Sequence, residues 1–256
     1  MMKQLFILLV VLLFINCKKE DQSKAITITS DELRVLVNFL ASDDRQGRDT
    51  GSTGLEASAS YIESYLKNLG VKSYFDDYRD TFQVDSLKAF NVVGYLEGHD
   101  SLLKDEFIII GAHYDHIGYG KMVDGDSIAN GANDNAAGTS AVLALAKYFA
   151  NKKNNKRSIM FTLFSAEEKG LLGSNHLSKR LKSEGLNLYT MLNFEMIGVP
   201  FIDRDYEAFV TGYDVSNMAE RINSYISSNL IGKSDVSIKY DLFKRSDNYP
   251  CLLYTS

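Results

Sequence analysis

The chain has 256 residues, which is enough for one α/β domain with a sizeable hydrophobic core. Hydrophobic residues make up 45% and charged residues 24%, the ordinary composition of a globular protein. The formal net charge of -5 argues against nucleic-acid binding, so we expect no nucleic-acid partner. Its two cysteines, Cys17 and Cys251, are too few for a disulfide framework or for a zinc site built from thiolates.

The N-terminus predicts export. Lys3 precedes an apolar run, residues 5–15, that is too short to span a bilayer comfortably. The run ends at Cys17, and charged residues follow directly after it. This boundary resembles a bacterial lipoprotein signal. We expect residues 1–17 to be a signal peptide ending at a lipidated Cys17, followed by a polar tether at 18–28. That predicts an exported, membrane-anchored protein at the periplasmic face or cell surface; the alternative is an ordinary signal peptide with an incidental cysteine.

Two amphipathic helices are predicted after the tether. Thr29 and Glu32 form a capping-box pattern, and apolar residues then recur at helical spacing. A polar, glycine-bearing loop follows at 42–52. A second helix carries one apolar stripe over residues 55–69, and Gly70 is its expected stop.

The remaining chain alternates strands with helices. Five runs are predicted as strands, at 90–96, 107–110, 159–164, 191–194 and 208–211. Several are continuously apolar, which is typical of strands buried on both faces. Helices are predicted between them near 136–152, 171–183 and 215–228. This alternation predicts an α/β fold, a three-layer α/β/α domain with a mostly parallel mixed sheet, spanning residues 29–250.

Four polar segments stand out against this pattern, at 111–116, 131–138, 165–171 and 193–198. Three of them directly follow predicted strands. Open α/β sheets bind ligands beyond the carboxyl ends of their strands, so these side chains could converge. Their imidazoles and carboxylates, without thiolates, suit a catalytic zinc site. A bridging carboxylate could hold two cations about 3.5–4 Å apart.

Each segment also has a purely structural explanation. His113 and Asp115 could be an ordinary histidine–carboxylate pair, residues 167–168 could oppose a helix dipole, and Asp134 could cap a helix. Glu195 is harder to explain in this way, because a carboxylate after an apolar strand needs a cation or hydrogen-bond donors. The four segments together favour a metal site.

The four segments resemble those of the M28 family of zinc aminopeptidases and carboxypeptidases. The shared motifs, in family order, are His-Tyr-Asp-His, Asn-Asp-Asn-Ala-Ala-Gly, Ala-Glu-Glu-Xaa-Gly-Leu-Leu-Gly-Ser and Asn-Phe-Glu-Met-Ile-Gly. The likeness runs from about residue 31 to the end and includes Gly47-Arg48 and Asn91-Val92-Val93-Gly94. The resemblance implies a zinc-exopeptidase fold and an aminopeptidase that removes N-terminal residues from extracytoplasmic peptide substrates.

The resemblance also implies two Zn²⁺ ions and a role for each site residue. The implied metal ligands are His113, Asp134, Glu168 and Glu195. Asp134 would bridge both ions, with His113 and Glu195 on the first. Glu195 departs from the aspartate that is frequent there. Glu167 would be the general base for a zinc-activated water, and Asp115 would orient His113.

A histidine for the second zinc is missing from the expected position. The family places it beyond a Ser-Asp motif, which residues 245–250 match with Asn248 where histidine is frequent. His116 is predicted to line the cleft without binding metal, and His176 to be a structural or surface residue. Either one metal has been lost in a degenerate enzyme or the chain is truncated, and we favour truncation.

The last six residues, 251–256, are predicted to be a non-native tail. They resemble the translation of a sequencing-library transposon end, TGT CTC TTA TAC ACA TCT. Inspection of the nucleotide sequence tests this prediction, since codons that differ from that string would overturn it.

Two other functions stay open at this point. A glutaminyl-cyclase-like acyltransferase would use a related site with a single zinc. A catalytically decayed, peptide-binding surface lipoprotein would use no metal chemistry, although the retained Glu167 argues against decay. Zinc stoichiometry and cyclisation of N-terminal glutamine distinguish the cyclase from the peptidase.

Overall fold

A computed structural model of the protein describes residues 27–255. The predicted signal peptide, its lipidation site Cys17 and most of the predicted tether lie outside these residues. Over the described part of the chain, no helix is both long and apolar enough to cross a membrane.

The described residues contain ten strands in three sheets. In chain order these are β1 (Lys72–Ser73), β2 (Arg79–Val84), β3 (Leu87–Leu96), β4 (Phe107–His113), β5 (Tyr119–Val123), β6 (Asp126–Ile128), β7 (Ser158–Phe164), β8 (Leu188–Asn193), β9 (Ala208–Phe209) and β10 (Ile231–Gly232). The central sheet has the order β1-β3-β7-β4-β8, and β2 also pairs with β3. Strands β5 and β6 form a hairpin, and β9 and β10 a short parallel pair.

Seven α-helices flank these sheets in the described residues. They are α1 (Ser30–Leu40), α2 (Thr53–Asn68), α3 (Ala137–Lys152), α4 (Leu172–Ser183), α5 (Met218–Ile226), α6 (Asp235–Lys239) and α7 (Asn248–Thr255). The predicted cap of α1 is confirmed, because the Thr29 hydroxyl accepts a hydrogen bond from the Glu32 amide at 3.2 Å. The predicted stop of α2 is confirmed as well, since Gly70 takes a φ of 73°, a left-handed conformation that glycine adopts freely.

The central sheet brings three strand ends to one edge. Strands β7, β4 and β8 run parallel to one another, whereas β3 runs antiparallel to β7. In register, His113 at the end of β4 faces Phe164 at the end of β7, and Gly111 faces Asn193 at the end of β8. The segments that follow these strands therefore begin side by side.

Helices cover both faces of this sheet. Leu36 of α1, Ile62 of α2 and Leu143 of α3 pack in one buried cluster with strand residues such as Phe161. A second cluster on the other face joins Met160 and Ile109 to helices α4 and α7. The predicted α/β class and mixed sheet are confirmed. The parallel part consists of β7, β4 and β8, and the other strand pairings in the described sheet are antiparallel.

The strand predicted at 208–211 does not belong to the central sheet. Only Ala208–Phe209 is extended, and it pairs with Ile231–Gly232 in a separate pair of half-buried strands. Its apolar run was too short to indicate which partner it would find. Strand β2 and the β5–β6 hairpin were not predicted, because β2 alternates buried with exposed residues and β5 is exposed throughout.

The predicted boundary at residue 250 falls inside a helix. Helix α7 runs from Asn248 to Thr255, and Cys251 is fully buried in the second core cluster. The origin of the codons for residues 251–256 stays a prediction.

Candidate metal centre

Two loops carry the candidate site residues away from the sheet edge. After β4, Tyr114 points into the core, where it is fully buried and donates a hydrogen bond to the Phe90 carbonyl at 2.9 Å. Successive side chains of an extended chain point to opposite faces, so His113 and Asp115 lie on the face opposite to Tyr114, where both are fully buried. After β7, the chain turns at Ala166, whose φ is 57°, and presents Glu167 and Glu168.

Asp134 reaches the same place from a turn that precedes α3. Oδ1 of Asp134 lies 3.3 Å from Nε2 of His113, and Oδ2 lies 4.0 Å from Nδ1 of His116. The α3 residue Thr139 fixes the neighbouring strand end by donating to the His113 carbonyl at 2.9 Å. The Asp134 carboxylate therefore lies between two imidazoles, and its predicted bridging of two metal ions stays a prediction.

His116 completes a cluster that the sequence interpretation did not assign. Its Nδ1 lies 2.8 Å from Oε1 of Glu168. One ligand atom each from His116, Asp134 and Glu168 lie within 4.8 Å of one another, the one such set of three in the described residues. His116 was predicted to line the cleft without binding metal, and its place in this set makes it a candidate ligand.

Asp115 acts mainly on the loop of the two glutamates. Its Oδ1 accepts a hydrogen bond from the Glu167 amide at 3.2 Å, and its Oδ2 from the Glu168 amide at 3.3 Å. The contact with Nδ1 of His113 at 3.2 Å comes from the Asp115 backbone carbonyl, whereas the carboxylate lies 3.8 Å away. Asp115 thus holds His113 through its backbone and Glu167 through its side chain.

Glu195 lies outside the three-residue cluster. Its Oε2 accepts a hydrogen bond from the Ser246 hydroxyl at 2.7 Å, and Ser246 in turn accepts from the Asn193 amide group at 2.9 Å. The Ser-Asp motif therefore reaches this edge of the sheet and holds the carboxylate of Glu195. The predicted contact of Glu195 with a metal at His113 stays a prediction.

Asp247 is a site carboxylate that the sequence interpretation left without a role. It is fully buried, and neither of its side-chain oxygens accepts a well-aligned hydrogen bond in the described structure. Burial raises the pKa of Asp247 to about 7; the charge of His113 opposes this shift, whereas Glu195 adds to it. The Ser-Asp motif marked this position, but nothing in the sequence indicated its burial.

Glu167 has a strongly raised pKa in the absence of metal. Burial is the largest cause, and the carboxylates of Asp247, Glu195 and Asp115 add to it, while His113 opposes it; the resulting pKa is about 8. A carboxyl group with such a pKa can hold and release a proton near neutral pH, as a general acid–base residue must.

The pKa of His113 is raised as well, but for an imidazole this favours the charged form. Burial alone would lower its pKa, but the contact with Asp134 and the charges of Asp115, Asp247 and Glu167 raise it to about 10. The imidazole therefore takes the positive charge that these carboxylates attract.

The residues fit zinc. Nε2 of His113 is buried without a well-aligned hydrogen bond, and loss of its proton to a bound metal would free it as a ligand. The donors around it are imidazoles and carboxylates, a set typical of catalytic zinc. The carboxylates of Asp134 and Glu168 supply negative charge that a divalent cation would neutralise.

These shifts predict how pH affects the metal-free protein. Glu167, Asp247 and Asp115, whose pKa values are about 8, 7 and 6, keep protons in the folded state at pH values where the unfolded chain has lost them. Stability falls with pH wherever the folded state binds more protons. The contribution of these three groups to the free energy of unfolding is complete below about pH 4, the ordinary carboxyl range. It is lost as the pH rises toward about 8.

We therefore expect Tm of the chelator-treated protein to be lower at about pH 8 than at about pH 5.5. Added zinc should stabilise more at the higher pH, because its ligands must be deprotonated. Thermal unfolding followed by circular dichroism at both pH values, with and without zinc, measures both effects. A metal-free Tm that rises over this interval would contradict the assignment of these buried protons.

The chain matches known peptidases in sequence and structure. Residues 91–253 match peptidase family M28. A probable zinc metalloprotease of Pyrenophora tritici-repentis (strain Pt-1C-BFP) is 37% identical over 180 residues, which cover 65% of this chain and 40% of that protein. The Legionella pneumophila LapA aminopeptidase superposes with a TM-score of 0.65 at 24% identity, covering 87% of this chain and 58% of the other. Porphyromonas gingivalis glutaminyl cyclase superposes with a TM-score of 0.66 at 14% identity, covering 89% and 81%.

The architecture is that of the zinc-exopeptidase-like α/β proteins. At the identities of the two superposed structures, the likeness concerns the fold alone. The match over residues 91–253 goes further: this chain belongs to peptidase family M28. It spans about two fifths of the curated relative, 40% of its length.

Proposed function

We propose that the protein is a zinc-dependent aminopeptidase that removes N-terminal residues from extracytoplasmic peptides. The observation that carries this proposal is the convergence of His113, His116 and Asp134 with the Glu167–Glu168 pair at the carboxyl edge of the parallel strands. A structural histidine–carboxylate pair or a helix cap would account for one of these segments, but not for all of them at one edge.

Two Zn²⁺ ions are the proposed cofactors. His113, Asp134 and Glu195 would hold the first ion, and Asp134, His116 and Glu168 the second. The distances of 3.3 Å from Asp134 to His113 and 4.0 Å to His116 support a bridging Asp134. His116 would thus supply the imidazole for which the sequence offered no candidate after the Ser-Asp motif.

Glu167 is the proposed general base. The bound zinc would activate a water molecule and polarise the scissile carbonyl. Glu167 would accept the proton of that water and return it to the leaving amine. Asp115 would keep Glu167 in place through its hydrogen bond to the Glu167 amide at 3.2 Å.

The preference for an aminopeptidase over a carboxypeptidase rests on the family resemblance. The carboxylates at the site do not decide it, because two bound zinc ions would neutralise Asp134, Glu168 and Glu195.

The direct test is an assay of the full chain on a panel of aminoacyl p-nitroanilides, peptides and N-acetylated peptides, with and without a chelator. We expect hydrolysis of the free peptides, none of the blocked ones, and recovery of chelator-inhibited activity on zinc addition. Hydrolysis that persists without metal, or release of C-terminal residues, would contradict the proposal.

A single-zinc glutaminyl cyclase is the second candidate. It is favoured by the one set of three clustered ligands in the described residues, His116, Asp134 and Glu168. Nε2 of His113, buried without a well-aligned hydrogen bond, argues for a second metal instead. One firmly bound zinc together with cyclisation of N-terminal glutamine would decide for the cyclase, whereas a metal-free protein that only binds peptides would indicate the decayed lipoprotein.

The membrane anchor at Cys17 also stays a proposal, supported by the charge boundary at that residue. Loss of fatty-acid labelling in a Cys17→Ser variant would support it, and labelling that survives the change would refute it.

A further inference from the structure

Arg48 is a buried cation beside the metal centre that the proposed chemistry does not use. Its side chain is fully buried, although the sequence suggested a polar loop at this point. All three guanidinium nitrogens donate to backbone carbonyls. Nε donates to Tyr114 at 2.8 Å, Nη1 to Leu40 and to Asn130 at 2.8 Å, and Nη2 to Gly131 at 2.9 Å.

These carbonyls belong to the loops that carry the metal-site residues. Tyr114 lies between His113 and Asp115, and Asn130 and Gly131 open the turn that presents Asp134. The Arg48 carbonyl also accepts a hydrogen bond from the His116 amide at 3.1 Å. One residue therefore ties the loop of the two histidines to the turn of the bridging carboxylate.

The loops that Arg48 joins pack closely around its side chain. Gly131 has a φ of +61°, and a Cβ there would lie 2.7 Å from Nη2 of Arg48 and 2.7 Å from Cδ2 of His116. Gly47, the other residue of the Gly-Arg motif, approaches the start of the β5–β6 hairpin so closely that a Cβ would lie 2.1 Å from the Gly118 carbonyl oxygen. Both glycines let the loops reach Arg48.

Arg48 also supplies charge without occupying a ligand. Burial lowers its pKa to about 10, and the carboxylates of Asp115 and Asp134 oppose that shift, so the side chain is positive at neutral pH. Because its donors go to carbonyls, the carboxylate oxygens stay free for metal. A neutral residue here would leave the metal-free carboxylates less compensated.

We propose that Arg48 is the positioning residue that pre-forms the metal centre by tying the His113–His116 loop to the turn of Asp134. This inference rests on the proposed metal site. It predicts that the two loops are held together before metal binds, and that zinc affinity depends on Arg48 although Arg48 touches no metal.

The test compares Arg48→Met and Arg48→Lys with Arg79→Met in the full chain. Arg79 is a matched control, since it pairs with Glu56 and Glu63 away from the metal centre. Zinc affinity is measured by competition with a chromophoric chelator, and Co²⁺ absorption spectra report ligand geometry. We expect Arg48→Met to weaken zinc binding by about 10–100-fold, as losses behind metal ligands do, with Arg48→Lys intermediate and the control unchanged.

A folded Arg48→Met protein with wild-type zinc affinity and an unaltered Co²⁺ spectrum would overturn this inference alone. A wild-type chain that binds no zinc would instead contradict the proposed zinc-dependent function.

Hydrogen exchange in the metal-free wild-type chain gives a test that needs no variant. The His116 amide, bonded to Arg48, and the Ala136 amide, bonded to Gly131 at 3.0 Å, should already be protected before zinc is added. Free exchange at both amides until zinc binds would refute pre-formation even if every Arg48 variant failed to fold.

Discussion

Replacing Glu167 with glutamine is expected to lower kcat by about 10²–10⁴-fold, the usual contribution of a general base. Glutamine keeps the size of the side chain but can neither accept the proton of the attacking water nor return it to the leaving amine. The expected KM is little changed, since Glu167 is not a proposed metal ligand. Steady-state kinetics and zinc content of the variant, measured on one preparation, separate these effects.

Glu184→Gln is the matched control for this variant. Glu184 lies on the surface beyond α4, where it pairs with Arg180 at 3.0 Å. We expect it to keep full activity. If Glu167→Gln retained wild-type kcat, the assignment of Glu167 as the base would be wrong. If the variant lost both its activity and its zinc, Glu167 would be a metal ligand instead.

Replacing Asp134 with asparagine is expected to weaken the binding of both metal ions. Its two oxygens face different imidazoles, at 3.3 Å from His113 and 4.0 Å from His116, so one neutral side chain would disturb both positions. Since even residues behind a ligand contribute about 10–100-fold to metal affinity, we expect a loss of at least about 100-fold here, together with loss of activity. Titration with zinc against a competing chelator measures both binding steps.

The matched aspartate is Asp105, which is exposed just before β4 at the opposite edge of the sheet. Asp105→Asn should bind zinc like the wild-type chain. Loss of only one ion in Asp134→Asn would show that the carboxylate does not bridge.

The fold could be predicted where the sequence has a clear hydrophobic pattern, either a continuous apolar run or an apolar stripe at helical spacing. The apolar runs of β3, β4 and β7 are buried on the sheet, and the stripes of α2 and α3 face one core cluster. Strand β2 and the exposed β5–β6 hairpin escaped prediction because their pattern depends on where neighbouring elements lie. Likewise, the two residues of β9 owe their pairing to β10, not to any local signal.

The candidate site was predictable from strand ends, but its internal contacts were not. His113, Asp134, Glu167 and Glu168 do converge. His116 came from the same His-Tyr-Asp-His motif, yet its pairing with Glu168 depends on the register of β4 with β7. Asp115 was expected to orient His113, and its backbone carbonyl does lie 3.2 Å from Nδ1 of His113. Its carboxylate also accepts hydrogen bonds from the amides of Glu167 and Glu168, a contact that depends on the fold of the loop and has no signal in the sequence.

A crystal structure of the zinc-loaded chain, with diffraction data collected on both sides of the zinc absorption edge, would test the two-zinc site itself. We expect anomalous peaks on the two sides of Asp134, one about 2.0–2.1 Å from Nε2 of His113 and the other at the same distance from Nδ1 of His116. A single peak beside His116 would favour the one-zinc alternative. The absence of any peak within reach of Asp134 in a zinc-saturated crystal would show that these residues do not form a zinc site.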